Sequence, residues 1–102
     1  MAKLVVMYRT PKDAGAFDKH YSEVHTALAK KIPGLEKLVL SRGPIMTPAG
    51  PSPFHLIATL HFADMGALQK ALSTTEGQAA AADVGTFATG GADLLMFDTH
   101  DA

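Results

Sequence analysis

The chain has 102 residues, 47% hydrophobic and 19% charged, with nine basic and ten acidic side chains and a formal charge of −1. A chain of that size is expected to form one globular domain, residues 1–102, burying only roughly 60–70% of its unfolded surface, so a partner subunit would strengthen a modest core. Interspersed charges near neutrality argue against a nucleic-acid or anionic-membrane binder, the lack of cysteine excludes a disulfide scaffold, a thiol nucleophile and a cysteine zinc site, and no apolar run approaches the ~20 residues of a membrane span.

The first strand begins beside Met1, which leaves no room for a signal peptide, and the expected compartment is the cytoplasm. In Lys3 to Arg9, KLVVMYR, the residues Leu4, Val6 and Tyr8 alternate with Lys3, Val5, Met7 and Arg9, and two largely apolar faces predict a central strand. Thr10-Pro11-Lys12 turns the chain. From Asp13 the spacing predicts a helix: at about 100° per residue, Phe17, Tyr21, Val24, Leu28 and Ile32 form one stripe, with Lys19, Glu23, Thr26 and Lys30 opposite. Asp13 can cap its start, and Pro33 with Gly34 ends it near Lys31 or Ile32. Leu35 to Arg42 has the period of a second strand closed by Gly43-Pro44, while Ile45 to Pro53, with three prolines and a glycine, reads as loop.

Phe54 to Phe62 is the most informative strand. Phe54, Leu56, Ala58, Leu60 and Phe62 suit a core beneath helices, whereas His55, Ile57, Thr59 and His61 are mixed and suit a second subunit. Asp64 caps a short helix in which Met65, Leu68 and Leu72 recur at helical spacing. Ser73 with Glu76 has the capping-box pattern for a further helix through Ala79 to Ala82, ending near Val84 with Gly85 as its stop. Thr86 to Gly91 then reads as loop, Ala92 to Asp98 as the last strand, and the final four residues as a frayed tail. The order β-α-β-β-α-β, with the second helix split, predicts an α+β ferredoxin-like fold whose four-stranded antiparallel sheet carries helices on one face only. The bare, largely apolar face predicts a homodimer joined through the sheets.

The opening KLVVMYRTP, the central FDKHYSEVHTALAKKIPGL with SRGP, and the closing TEGQAAAADVGTFATGG resemble the EthD family of the dimeric α/β-barrel superfamily over essentially the whole chain. The F-x-x-x-Y-x-x-x-H spacing followed by K-K-I-P-G-L is the most specific part. The resemblance implies two ferredoxin-like subunits packed sheet against sheet, each with a cleft between its own sheet and helices. The family takes its name from a small protein required beside an oxygenase system that degrades ethyl tert-butyl ether, and the superfamily includes cofactor-free cyclases, monooxygenases and haem-handling proteins. Aligned on Pro33, His25 falls where the polyketide-cyclase branch places a cavity tyrosine. The essential histidine of that branch corresponds to Gly77 or Gln78, so its mechanism does not carry over.

Tyr21 and His25 are four apart and neighbours on one helix face. His25 lies about 60° off the stripe's centre, at the boundary of core and cleft. With Tyr8 from the first strand, an imidazole and two phenols can converge on an apolar pocket, polarise a carbonyl and take a proton from an acidic carbon. The plainer alternative is an edge-of-core His25 bonded to a loop carbonyl, with both tyrosines merely amphipathic core residues. His55 and His61 are about 20 Å apart along one strand and cannot share an ion. They read as satisfied interface groups, His20 as a surface residue and His100 as part of the tail.

No cofactor is expected, since G-x-G-x-x-G, Walker, H-E-x-x-H and G-x-S-x-G patterns are all missing and Gly90-Gly91 reads as turn chemistry. The expected function is therefore binding of a small apolar or aromatic carbonyl metabolite, with His25 as the catalytic acid or base. Tyr8 and Tyr21 would orient the ligand, and Leu56, Ala58, Gln78 and Phe87 would line the rest of the cleft. Turnover would make the protein a cofactor-free lyase, isomerase, cyclase or oxygenase. The alternatives are a non-enzymatic carrier or accessory protein of an oxygenase pathway, and a haem-binding protein using His25 as iron ligand.

Overall fold

A computed structural model describes residues 1–102. Strand β1 (Ala2–Arg9) runs between β5 (Phe54–Phe62) and β6 (Ala92–Asp98), and β2 (Lys37–Ser41) flanks β5, so the sheet order is β2-β5-β1-β6 with every pair antiparallel. That is the ferredoxin-like arrangement. Alternation sets the two faces as the sequence predicts, except at Phe54, which a register shift places opposite Arg9 and outside the core: Ala2, Leu4, Val6 and Tyr8 of β1 and Leu56, Ala58, Leu60 and Phe62 of β5 are buried under the helices. β2 is shorter than the Leu35 to Arg42 expected, because the Leu35 N–H bonds back to the Ile32 carbonyl and closes a turn.

The first helical segment departs from a uniform helix. Asp13 Oδ1 accepts from the Ala16 N–H at 3.0 Å and starts α1 (Ala14–His20), which runs into a π-helical turn over Tyr21–His25 and then α2 (Thr26–Lys30). In the wide turn the Thr26 N–H reaches the Tyr21 carbonyl, and the Thr26 hydroxyl donates to the same oxygen at 2.8 Å. One residue more in that turn rotates the rest of the helix about its axis. The buried series becomes Phe17, Tyr21, His25, Ala29 and Ile32, while Val24, expected on the stripe, is 41% exposed.

Further differences are local. Met46–Thr47 (β3) and Gly50–Pro51 (β4) pair as a small hairpin where loop was expected, with the Thr47 hydroxyl donating to the Gly50 carbonyl. Asp64 caps α3 (Met65–Ser73) as expected, but α4 (Thr75–Phe87) is capped by Thr74 rather than Ser73. Ser73 Oγ instead donates to the Lys70 carbonyl at 2.7 Å. α4 also continues past Gly85, which places Phe87 in the core. Thr99 is held against the Met1 carbonyl rather than frayed. At Gly77 a Cβ would lie 2.1 Å from the Ala71 carbonyl oxygen, so only glycine lets the start of α4 approach the end of α3 this closely.

Candidate functional site

The π turn and the middle of α4 face each other across the aromatic core. The turn points His25 inward, leaving it 5% exposed, and sets its Nδ1 2.9 Å from Asp83 Oδ2. Asp83, in the alanine-rich centre of α4, also lies 2.9 and 3.0 Å from His20 Nε2 through its two oxygens and accepts from the Thr86 hydroxyl at 3.1 Å. His20, expected on the surface, is thus half-buried and bonded to the same carboxylate as His25.

These contacts fix charge and tautomer. Burial alone would push the Asp83 carboxyl up, but hydrogen bonds from His20, His25 and Thr86 outweigh it and hold the group below the usual range. Burial lowers His25 below 6.5 against the opposing pull of Asp83, so its ring is neutral near pH 7. A carboxylate only accepts, so His25 Nδ1 carries the proton and Nε2 keeps its lone pair. Such a ring is a base with its donor side already satisfied.

Around it Tyr8, Phe17, Tyr21 and Phe87 form a packed aromatic group. Tyr8 meets Phe17 edge-on at 5.3 Å and Tyr21 at 5.6 Å, and Phe87 lies 4.9 Å from the His25 ring centre. Tyr8 is 1% exposed, and its hydroxyl makes no hydrogen bond of good geometry, although the Tyr21 phenol stands close enough to act on it. A buried donor so poorly satisfied costs about 1–3 kcal/mol. Burial, reinforced by Tyr21 and the Asp83 charge, keeps the Tyr8 phenol protonated far above its ordinary range. Burial pushes Tyr21 up to about 12, with the Arg42 charge and the Tyr8 phenol pulling the other way.

A cavity of about 60 Å³ adjoins the aromatic group between sheet and helices, and Tyr8, Tyr21, His25, Ala58, Gly77 and Leu94 are among its lining residues. Of the side chains expected to form the cleft, Tyr8, Tyr21, His25 and Ala58 therefore converge on it. Leu56 does not: it lines a separate cavity of about 140 Å³ with Tyr21, Arg42 and His55. Phe87 lies behind the imidazole and lines an outer cleft with His20. Gln78 is exposed on α4, and Gly77 takes the inward position beside it. The Gly77 backbone leaves no space for the side chain that the cyclase branch carries there.

His55 also departs from expectation. The β1–β5 ladder slips between Tyr8 and Arg9, so His55 is the extra residue of a bulge. Its ring meets Phe17 edge-on at 5.1 Å, and Nε2 lies 2.8 Å from Asp18 Oδ1, rather than facing outward with His61. No group of three or more His, Asp or Glu side chains has the arrangement of a metal site. A porphyrin is far larger than a cavity of about 60 Å³, so the residues around His25 do not fit the haem alternative.

The sequence profile of the EthD domain matches residues 9–91. An 11.0 kDa protein from the thcB-thcC intergenic region of Rhodococcus erythropolis is 36% identical over 98 residues, covering 96% of this chain and 94% of its own. The crystal structure of an ethyl tert-butyl ether degradation family protein from Bacillus halodurans is 36% identical, with a TM-score of 0.90 over 98% of this chain and 99% of that one. SnoaB, a cofactor-independent oxygenase from Streptomyces nogalater, shares the fold at 15% identity, with a TM-score of 0.70 over 99% of this chain and 94% of that one.

Proposed function

The chain belongs to the EthD family, and from that premise we propose that it binds a small apolar carbonyl compound in the His25 cavity and moves a proton on it without a cofactor. The observation that carries this reading is the pairing of a neutral imidazole, its Nδ1–H engaged by Asp83, with a poorly satisfied phenol in the wall of the same apolar cavity. Nε2 takes the proton from a carbon beside the carbonyl. The C–H electron pair moves into the carbonyl, and the Tyr8 hydroxyl donates to the oxygen that gains charge. Return of the proton from Nε2 to the same carbon completes an exchange or epimerisation, and its delivery to the oxygen gives the enol isomer. Tyr21 holds the ligand's flank. The SnoaB likeness is one of fold alone, yet a carbanion is also what reacts with oxygen when no cofactor takes part, so the same step suits that class.

The experiment is solvent deuterium exchange. Acetone and 2-butanone incubated with the protein in D2O should gain deuterium beside the carbonyl faster than in buffer, and His25→Gln should abolish the acceleration. Saturable binding of these probes with no acceleration would leave the carrier reading, in which the cavity serves an oxygenase pathway without turnover.

The same reading includes a homodimer through the sheets. On the side away from the helices Val39 and Leu95, 38% and 52% exposed, line up across the strands with Thr59 and Val5, and Phe97, 40% exposed, lies in the next row opposite Lys3, a largely apolar surface that water covers at a cost. Sedimentation equilibrium should give a dimer, and Leu95→Lys a monomer.

A further inference from the structure

The second cavity, about 140 Å³, is bounded by Asp18, Tyr21, Arg42, Gly43, His55 and Leu56. Two local features build it. The bulge turns His55 toward α1, and a left-handed Gly43, φ +83°, ends β2 so that Arg42 stands beside the cavity. Its charges are unevenly matched. Asp18 is engaged by His55 Nε2 at 2.8 Å, whereas Arg42 forms none of the chain's ion pairs, which are Arg9–Asp93 and three His–Asp contacts. Tyr21, 3% exposed, is the only residue lining both this cavity and the one holding His25. The Arg42 charge acts on its phenol, which places the guanidinium within electrostatic reach of the shared wall.

A planar, permanently charged fork without a carboxylate partner, beside a site proposed to take a carbonyl, suits a second carboxylate supplied by the ligand. We propose that the ligand is a compact monocarboxylic acid bearing a ketone, with its carboxylate at Arg42, its chain along Tyr21 and its ketone facing Tyr8 and His25. This rests on the proton-transfer reading above and narrows its substrate to the keto-acid class. Asp18 makes its ion pair with His55 through Oδ1 and forms none with Arg42.

The test is an NMR titration of 15N-labelled protein with 4-oxopentanoate and 4-oxopentanamide, which share the ketone and differ in the charge. The acid should bind about tenfold more tightly than the amide. Arg42→Gln should erase that preference, weakening the acid far more than the amide, and Arg42→Lys should restore part of it. Arg42 is exposed, so neither change threatens folding. Equal binding of both probes, or a preference that survives Arg42→Gln, overturns the keto-acid assignment. If both probes still shift the Ala80 and Val84 amides beside the inner cavity, the carbonyl reading stands without it. If neither probe shifts them, both readings fall together.

Discussion

Asp83→Asn is the sharpest perturbation of the site, because one carboxylate serves two imidazoles and a hydroxyl. An amide of the same shape keeps one accepting oxygen and gains two donors. Placed where Oδ2 sits, that oxygen still reaches both rings, but it is uncharged, so the two charge-assisted hydrogen bonds weaken by about 1.5–3 kcal/mol together. His20 is half-exposed and can turn to water, which softens the expected loss to about 1–2 kcal/mol. For a chain of this length that lowers Tm by roughly 5–15 °C. The variant also removes the one group that raises the His25 pKa, so the imidazole should titrate at still lower pH. Where the amide nitrogen faces Nδ1, the ring must shift its proton to Nε2 and lose its base. Urea unfolding at pH 7, proton NMR titration of the His25 Cε1–H, and the deuterium-exchange assay measure the three effects. Exchange should fall at least about 100-fold. A variant with wild-type stability and an unmoved His25 titration would refute the claim that this carboxylate holds the rings.

Tyr8→Phe removes a hydroxyl with no hydrogen bond of good geometry, so stability should stay level or rise by about 1 kcal/mol while ketone exchange drops by about 100-fold. A purely structural Tyr8 would leave exchange untouched. Gly77→Ala and Gly85→Ala should move stability in opposite directions in urea unfolding. The first forces a Cβ onto the Ala71 carbonyl and costs about 1–3 kcal/mol, whereas the second meets open space inside α4 and gains about 0.5–1 kcal/mol. Because folded His25 resists protonation, the unfolded chain binds more protons just below pH 6.5. Stability should therefore fall as pH drops from 6.5 toward the lowered folded value, and His25→Gln should flatten that part of the curve.

The fold was readable because strand alternation is a local property. Leu4, Val6 and Tyr8, and Leu56, Ala58 and Leu60, lie on the buried face that period two assigns to them, and Asp13 and Asp64 cap the helices they precede. The site was only half readable. One helix face and one strand face predict that His25, Tyr8 and Tyr21 meet, and they line one cavity, but periodicity at a fixed 100° puts Val24 inside and His25 at the margin. A π turn is a slip in backbone bonding, and nothing in YSEVH announces it.

Asp83 was missed because it is 58 residues from His25, and its contact exists only once α4 lies over that turn. The available signal was a lone acid interrupting AAAADVG, on a helix otherwise of small residues. His55 misled for the related reason that one extra residue in a ladder reverses which face a side chain takes. The Ser73 and Thr74 caps differ by a single step, within the ordinary uncertainty of a helix boundary.

The protonation of one ring tests the account most directly. Long-range 1H–15N correlation spectra at pH 7 separate the two nitrogens of His25. A neutral ring with its proton on Nδ1 and a bare Nε2 is the predicted result. A proton on Nε2, or a fully protonated ring, would contradict it.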